Sequence, residues 1–192
     1  MYKHSSALII IDVQNDFCPG GKLGIANGDQ VIEPLNRLSF QFAAKFGKVI
    51  ATQDWHPADH ASFSIWPIHC VQGTIGADFH NELDLKPVNL IVRKGFRTNE
   101  DSYSAFFEND HTTPTGLDGF LKNFSIDTLV LGGLATDYCV LNSALDAVAL
   151  GYKTIVAEDA IRAVNQPAGS EERAFKLLEE AGVTILKSTK IT

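Results

Sequence analysis

Apolar residues along this chain follow two alternating rhythms. Short runs rich in β-branched residues, at 7–13, 49–53, 90–93, 128–131, 154–157 and 184–186, read as buried strands. Between them apolar positions recur at helical spacing. Val31, Ile32, Leu35, Leu38, Phe42 and Phe46 form one such face, and Val140, Leu141, Ala144, Leu145, Val148 and Ala149 form another, with Gly151 just past its end. A third helix is expected over about 170–181, opened by Ser170 and Arg173 and stopped by Gly182, and a shorter one over 115–123. Strand–helix alternation of this kind predicts an α/β fold, a mostly parallel sheet with helices on both faces. No repeat, low-complexity stretch or linker divides the chain, so residues 1–192 are expected to form a single domain.

Two connections, 56–87 and 95–114, are too long for ordinary loops and carry no sustained helical period. Long loops in compact domains are usually functional. Both leave the carboxyl ends of strands, the edge where open α/β sheets bind ligands. The residues with chemical capability gather at the same edge. Asp12 ends the first strand, Asp54 follows the second, Lys94 ends the third, and Cys139 follows the fourth.

Cys139 lies in Gly132-Gly133-Leu134-Ala135-Thr136-Asp137-Tyr138-Cys139-Val140, a turn between a buried strand and a helix. Unpaired N–H groups and the positive helix end there favour a thiolate and can hold an oxyanion. Alone, Cys139 reads equally well as a small buried hydrophobe, Asp12 as a turn residue and Lys94 as a solvated cation. Together they supply a nucleophile, a carboxylate to carry its proton and an ammonium to favour the anion. Asp54 and His56, two apart, face one side of an extended segment, and His69 lies in the long loop that follows. Two imidazoles and a carboxylate suit zinc, iron or manganese with positions left open. His60 or Ser62 is a candidate further contact. Phe17, Trp66 and Tyr103 sit in polar, turn-rich segments and are candidate walls for a planar ligand.

Bulk properties narrow the partners. A net charge of −7 argues against nucleic acid or an anionic membrane as the main partner. No apolar run approaches the roughly 18 residues of a membrane helix, and Asp12 interrupts the first run too early for a signal peptide. Three cysteines, Cys18, Cys70 and Cys139, make an odd set without disulfide spacing, so a reducing, cytoplasmic setting is expected. Gly132-Gly133 lacks the dinucleotide-binding spacing.

In six blocks the chain resembles the nicotinamidase branch of the isochorismatase-like cysteine hydrolases. These are Asp12-Val13-Gln14-Asn15-Asp16-Phe17, Gln53-Asp54-Trp55-His56-Pro57, Trp66-Pro67-Ile68-His69-Cys70-Val71, Lys94-Gly95, Asp101-Ser102-Tyr103-Ser104-Ala105-Phe106 and Gly133 to Val140. The resemblance implies a six-stranded sheet in a three-layer sandwich. It implies Cys139 as nucleophile, Asp12 as general base and acid, and Lys94 as the adjoining cation. It implies Asp54, His56 and His69 as ligands of one divalent ion, zinc ahead of iron or manganese, and Phe17, Trp66 and Tyr103 as substrate contacts. It further implies a cis peptide between Leu134 and Ala135, with the Ala135 and Cys139 amides as the oxyanion hole. The implied reaction is hydrolysis of nicotinamide to nicotinate and ammonia through a thioester, in NAD salvage, with pyrazinamide as a second substrate. The alternative is a metal-independent amidase of the same fold acting on a carbamoyl or ureido group. A homo-oligomer is left open.

Overall fold

The computed structural model describes residues 6–45 and 47–191, so Phe46, expected on the first helix face, lies outside the described residues. Six strands form one sheet: β1 (Ser6–Ile11), β2 (Lys48–Asp54), β3 (Leu90–Lys94), β4 (Thr128–Leu134), β5 (Lys153–Arg162) and β6 (Thr184–Leu186). Their spatial order is β3-β2-β1-β4-β5-β6, and every pairing is parallel. The helices are α1 (Ile32–Ala44), α2 (Leu117–Asn123), α3 (Leu141–Ala149) and α4 (Ser170–Glu180).

The strands are apolar on both sides because the sheet is covered on both sides. In β1 the alternation divides the side chains between two cores. Leu8 and Ile10 join Leu35, Leu38 and Phe42 of α1 on one face. Ala7, Ile9 and Ile11 join Leu121 of α2, Ala144 and Ala147 of α3 and Leu178 of α4 on the other. Residues 7–11 have no solvent exposure at all, as expected for a strand at the centre of a three-layer sandwich. Among the described residues no helix is long and apolar enough to cross a membrane.

Two strands run past their expected ends. β4 continues to Leu134, and its register against β5 shifts between Leu131 and Gly133. β5 continues to Arg162, through Glu158 and Asp159, whose polarity hides the extension in the sequence. The shift in β4 requires glycine. Gly133 has φ +130°, and a Cβ there would fall 2.0 Å from the Ile11 carbonyl oxygen of β1.

The strand order reverses direction between β1 and β4, so the loops leaving these strands diverge and open a crevice at their carboxyl ends. The long connections 56–87 and 95–114 lie beyond the same edge and contain only short 3-10 turns and isolated bridges, such as that between His56 and Val71.

Gly133→Ala is expected to destabilise the protein by about 2 kcal/mol or more, through the clash with Ile11 and the unfavourable φ. Chemical denaturation of the variant beside the parent chain measures this.

Candidate active site

The crevice is built around Lys94, the last residue of β3, which has no exposed surface. A buried ammonium persists only when paired. Its Nζ donates to Asp54 Oδ1 and, at 2.7 Å, to the Ser102 carbonyl, and it lies 2.9 Å from Asp12 Oδ2 and 3.6 Å from Cys139 Sγ. The ends of β1, β2, β3 and β4 therefore converge on one cation.

Asp12 leaves β1 with φ +49°, a left-handed conformation that turns its side chain into the crevice. Thr52 of β2 holds it there: the Asp12 N–H donates to Thr52 Oγ1 at 3.2 Å, and that hydroxyl donates to Asp12 Oδ1 at 2.6 Å. The other carboxylate oxygen, Oδ2, is buried and has no aligned hydrogen bond, only the charge contact with Lys94. The nearest ligating atoms of Asp12, Asp54 and Cys139 all lie within 4.8 Å of one another.

The two carboxylates are driven apart in acidity. Burial pushes Asp12 up to about 6, against the pull of Lys94 and with help from the neighbouring Asp54 charge. Burial acts on Asp54 in the same direction, but Lys94 and His56 together hold it well below the usual carboxylate range. Burial alone would lower Lys94; Asp12 and Asp54 push it well above its ordinary value, so it stays charged.

Cys139 departs from expectation. It is the fourth residue of a wide π-helical turn, Thr136–Val140, ahead of α3, and not in the first turn of an ordinary helix. The Tyr138 and Val140 amides donate to the Ala135 carbonyl at 3.1 and 3.0 Å. The peptide between Leu134 and Ala135 is cis. The pull toward a thiolate expected at this helix end is outweighed. Burial, the largest influence, pushes the thiol well above its ordinary value; Lys94 lowers it, and the charges of Asp12 and Asp54 raise it. The helix end and one ammonium do not offset full burial beside two carboxylates.

Asp54, His56 and His69 come together, their ligating atoms within 4.8 Å of one another. His56 Nδ1 lies 2.8 Å from the Gly95 carbonyl and His69 Nδ1 2.7 Å from the Pro67 carbonyl. A carbonyl only accepts, so both Nδ1 atoms carry the proton and both Nε2 atoms turn a lone pair toward Asp54. His56 Nε2 and Asp54 Oδ2 stand 3.6 Å apart, beyond hydrogen-bond length. Three donors aimed at one point without bonding one another fit a divalent metal ion. Gly95 makes this close: with φ +59°, a Cβ would sit 2.6 Å from the His56 ring.

The suggested further contacts are already engaged. The His60 ring stacks on His56 with centroids 4.1 Å apart. Its Nδ1 meets the Ser62 hydroxyl at 2.7 Å and its Nε2 the Glu100 carbonyl at 3.1 Å. Both ring nitrogens of His60 are thus hydrogen-bonded, and His60 also belongs to a second possible donor group with His56 and Asp101. Cys70, at φ +45°, is buried outside the metal donor set, with its amide donating to Asp16 Oδ2 at 2.7 Å.

Above Cys139 opens a pocket of about 410 Å³, mouth included, lined among others by Phe17, Trp66, Tyr103, Asp54, His69 and Ala135. All three aromatic residues singled out in the sequence border it. Trp66 Nε1 donates to the Tyr103 hydroxyl at 3.1 Å, and Phe17 lies tilted on His69, 5.5 Å between centroids. The sequence did not single out Leu23, Ile25, Asp101, Tyr138 or Val164 in this lining. Tyr138 packs edge-on against Trp66 at 5.0 Å, and its place beside Cys139 was the available signal. Val164 arrives from the β5–α4 connection and carries no local signal. Thr52 and Gln14 were also missed. Gln14 clamps the Asp54 backbone, donating to its carbonyl and accepting from its amide, both at 2.8 Å.

A buried cysteine, a lysine and two carboxylates gather at the carboxyl edge of a parallel α/β sheet, and residues 6–190 match the isochorismatase domain; the chain belongs to that family. It is 42% identical over 208 residues to a nicotinamidase of Acinetobacter baylyi, covering 98% of this chain and 95% of that protein. Its fold is similar to that of L. infantum PnC1 in complex with nicotinate, at 38% identity and a TM-score of 0.93, covering 98% and 96% of the two chains. It is similar too to the pyrazinamidase of Pyrococcus horikoshii in complex with zinc, at 34% identity and a TM-score of 0.86, covering 95% and 99%.

Replacing Lys94 by Met is expected to cost about 3–5 kcal/mol of stability at neutral pH, because two buried carboxylates lose their cation. Denaturant titration of the two proteins gives the difference.

Proposed function

We propose that this protein is a nicotinamidase, hydrolysing nicotinamide to nicotinate and ammonia, with pyrazinamide as a second substrate. The observation that carries the proposal is the buried Asp12 carboxylate, its Oδ2 held by the Lys94 charge, beside the Cys139 thiol at the floor of an aromatic-walled pocket. A carboxylate that titrates near 6 is suited to take a proton and return it at neutral pH.

The pyridine ring lies between Phe17 and Trp66, with its carboxamide over Cys139. Asp54, His56 and His69 would hold a divalent ion, zinc ahead of iron or manganese, which would supply Lewis-acid chemistry toward the pyridine ring. The Cys139 proton passes to Asp12 as sulfur bonds to the carboxamide carbon. The Ala135 and Cys139 amides hold the developing oxyanion, each such donor being worth roughly 3 kcal/mol. The C–N bond breaks, Asp12 returns the proton, and ammonia leaves a thioester on Cys139. Water then attacks the thioester carbon, giving one proton to Asp12. The C–S bond breaks, sulfur recovers a proton, and nicotinate departs. Lys94 stays charged throughout, beside each anion in turn. Pyrazinamide replaces one ring carbon by nitrogen, a change that a pocket shaped for the pyridine ring admits. The nicotinate produced is a precursor for NAD salvage.

Ammonia release from nicotinamide, with bound metal quantified on the same sample, tests the proposal. Rapid release with about one metal per chain is expected. Metal without release would defeat the substrate assignment, and neither would favour the carbamoyl or ureido amidase. Cys139→Ala should abolish release and leave the metal content unchanged, since Cys139 lies outside the Asp54–His56–His69 set. In the parent enzyme, kcat/KM should fall by about tenfold per pH unit on the acid side of Asp12's pKa of about 6, as the base takes up its proton. A pH–rate profile flat from 7 down to 5 would remove Asp12 from that role.

A further inference from the structure

Asp101 has a carboxylate oxygen to spare beside the metal donors. His60 and Ser62 bind each other, and His60 also meets the Glu100 carbonyl. Asp101 lies in the 95–114 connection, lines the same pocket as Asp54, His69 and Cys139, and is partly buried. Its Oδ1 accepts the Ser102 amide at 2.8 Å; its Oδ2 has no hydrogen-bond partner among the described residues. A carboxylate oxygen of Asp101 comes within 4.8 Å of one ring nitrogen each of His56 and His60, yet Asp101 stands outside the tight Asp54–His56–His69 set. It also sits over Gly95, the residue whose carbonyl orients His56, with Oδ1 3.4 Å from the position a Cβ would take there.

A carboxylate one step beyond the ligands, with a free oxygen, is placed to accept a hydrogen bond from water on a bound ion. Three protein donors leave positions that water fills. From this placement we infer that Asp101 is a positioning residue for the metal site: it accepts a hydrogen bond from an ion-bound water on the side of His56 and His60, and so strengthens binding of the ion. This rests on the metal reading given above.

The test uses the full chain stripped of metal and reloaded with zinc, its affinity measured by competition with a chromophoric chelator. Asp101→Asn keeps an oxygen for the Ser102 amide and removes the charge. It should bind zinc 10- to 100-fold more weakly, as changes beyond the first ligands commonly do. Cobalt(II) loaded into the same variant should show shifted visible bands, and Asp101→Glu should regain most of the affinity. Zinc affinity in the asparagine variant within twofold of the parent would overturn the inference, as would unchanged zinc affinity with a raised KM for nicotinamide. Equal losses in both variants with a lowered Tm would mark Asp101 as a loop brace and overturn it too. Failure of the parent chain itself to bind zinc would defeat the metal reading, and this inference with it.

Discussion

The rest of the site depends on one buried ammonium. Lys94 is sealed from solvent at the end of β3, between a carboxylate from β1 and another from β2. Two carboxylates could not stay ionised in an interior this apolar without it. The sheet order makes the arrangement attainable. β3, β2, β1 and β4 are consecutive neighbours, so residues at their carboxyl ends are brought within a few ångströms whatever their separation along the chain. Lys94 thus reaches both carboxylates at once, and His56 and His69 stand on the side of Asp54.

The same cation divides the labour of the carboxylates. Asp54 donates no hydrogen bond, is held strongly acidic and remains an anion for the metal donors. Asp12 is fully buried and raised to about 6, so it exchanges a proton near neutrality. Similar chemistry in dissimilar surroundings yields different roles. Burial also reverses the simple expectation for Cys139. A helix end favours the anion, but desolvation and two nearby negative charges outweigh it, so the Cys139 thiol holds its proton more tightly than an ordinary cysteine does. Beside it stands the Asp12 carboxylate, whose Oδ2 meets the Lys94 charge 2.9 Å away.

The loops complete the site. His69, Trp66, Asp101 and Tyr103 all lie in the two long connections, and the backbone carbonyls of Gly95 and Pro67 set the histidine tautomers. Pocket walls therefore come from segments without regular structure, while the reacting groups sit at strand ends. That division lets rigid elements hold the chemistry and variable loops shape the ligand.

Strand positions were legible because a sheet covered on both faces demands unbroken apolar runs, as in residues 7–11 and 128–131. The strand-end residues Asp12, Asp54, Lys94 and Cys139 were legible for a related reason: a polar or reactive side chain closing such a run must find a partner. The sequence by itself thus determined the layers, the sheet edge carrying the chemistry and the residue types available there. Tertiary structure alone decided the strength of each group. The burial of the Cys139 thiol, the contact of Asp12 Oδ2 with Lys94 and the approach of Asp101 to His56 and His60 all follow from contacts between distant segments. So do Thr52 behind Asp12 and Val164 in the pocket wall. Local pattern reports what a side chain can do. Burial and the charges that face it, which only the folded chain sets, decide what it does.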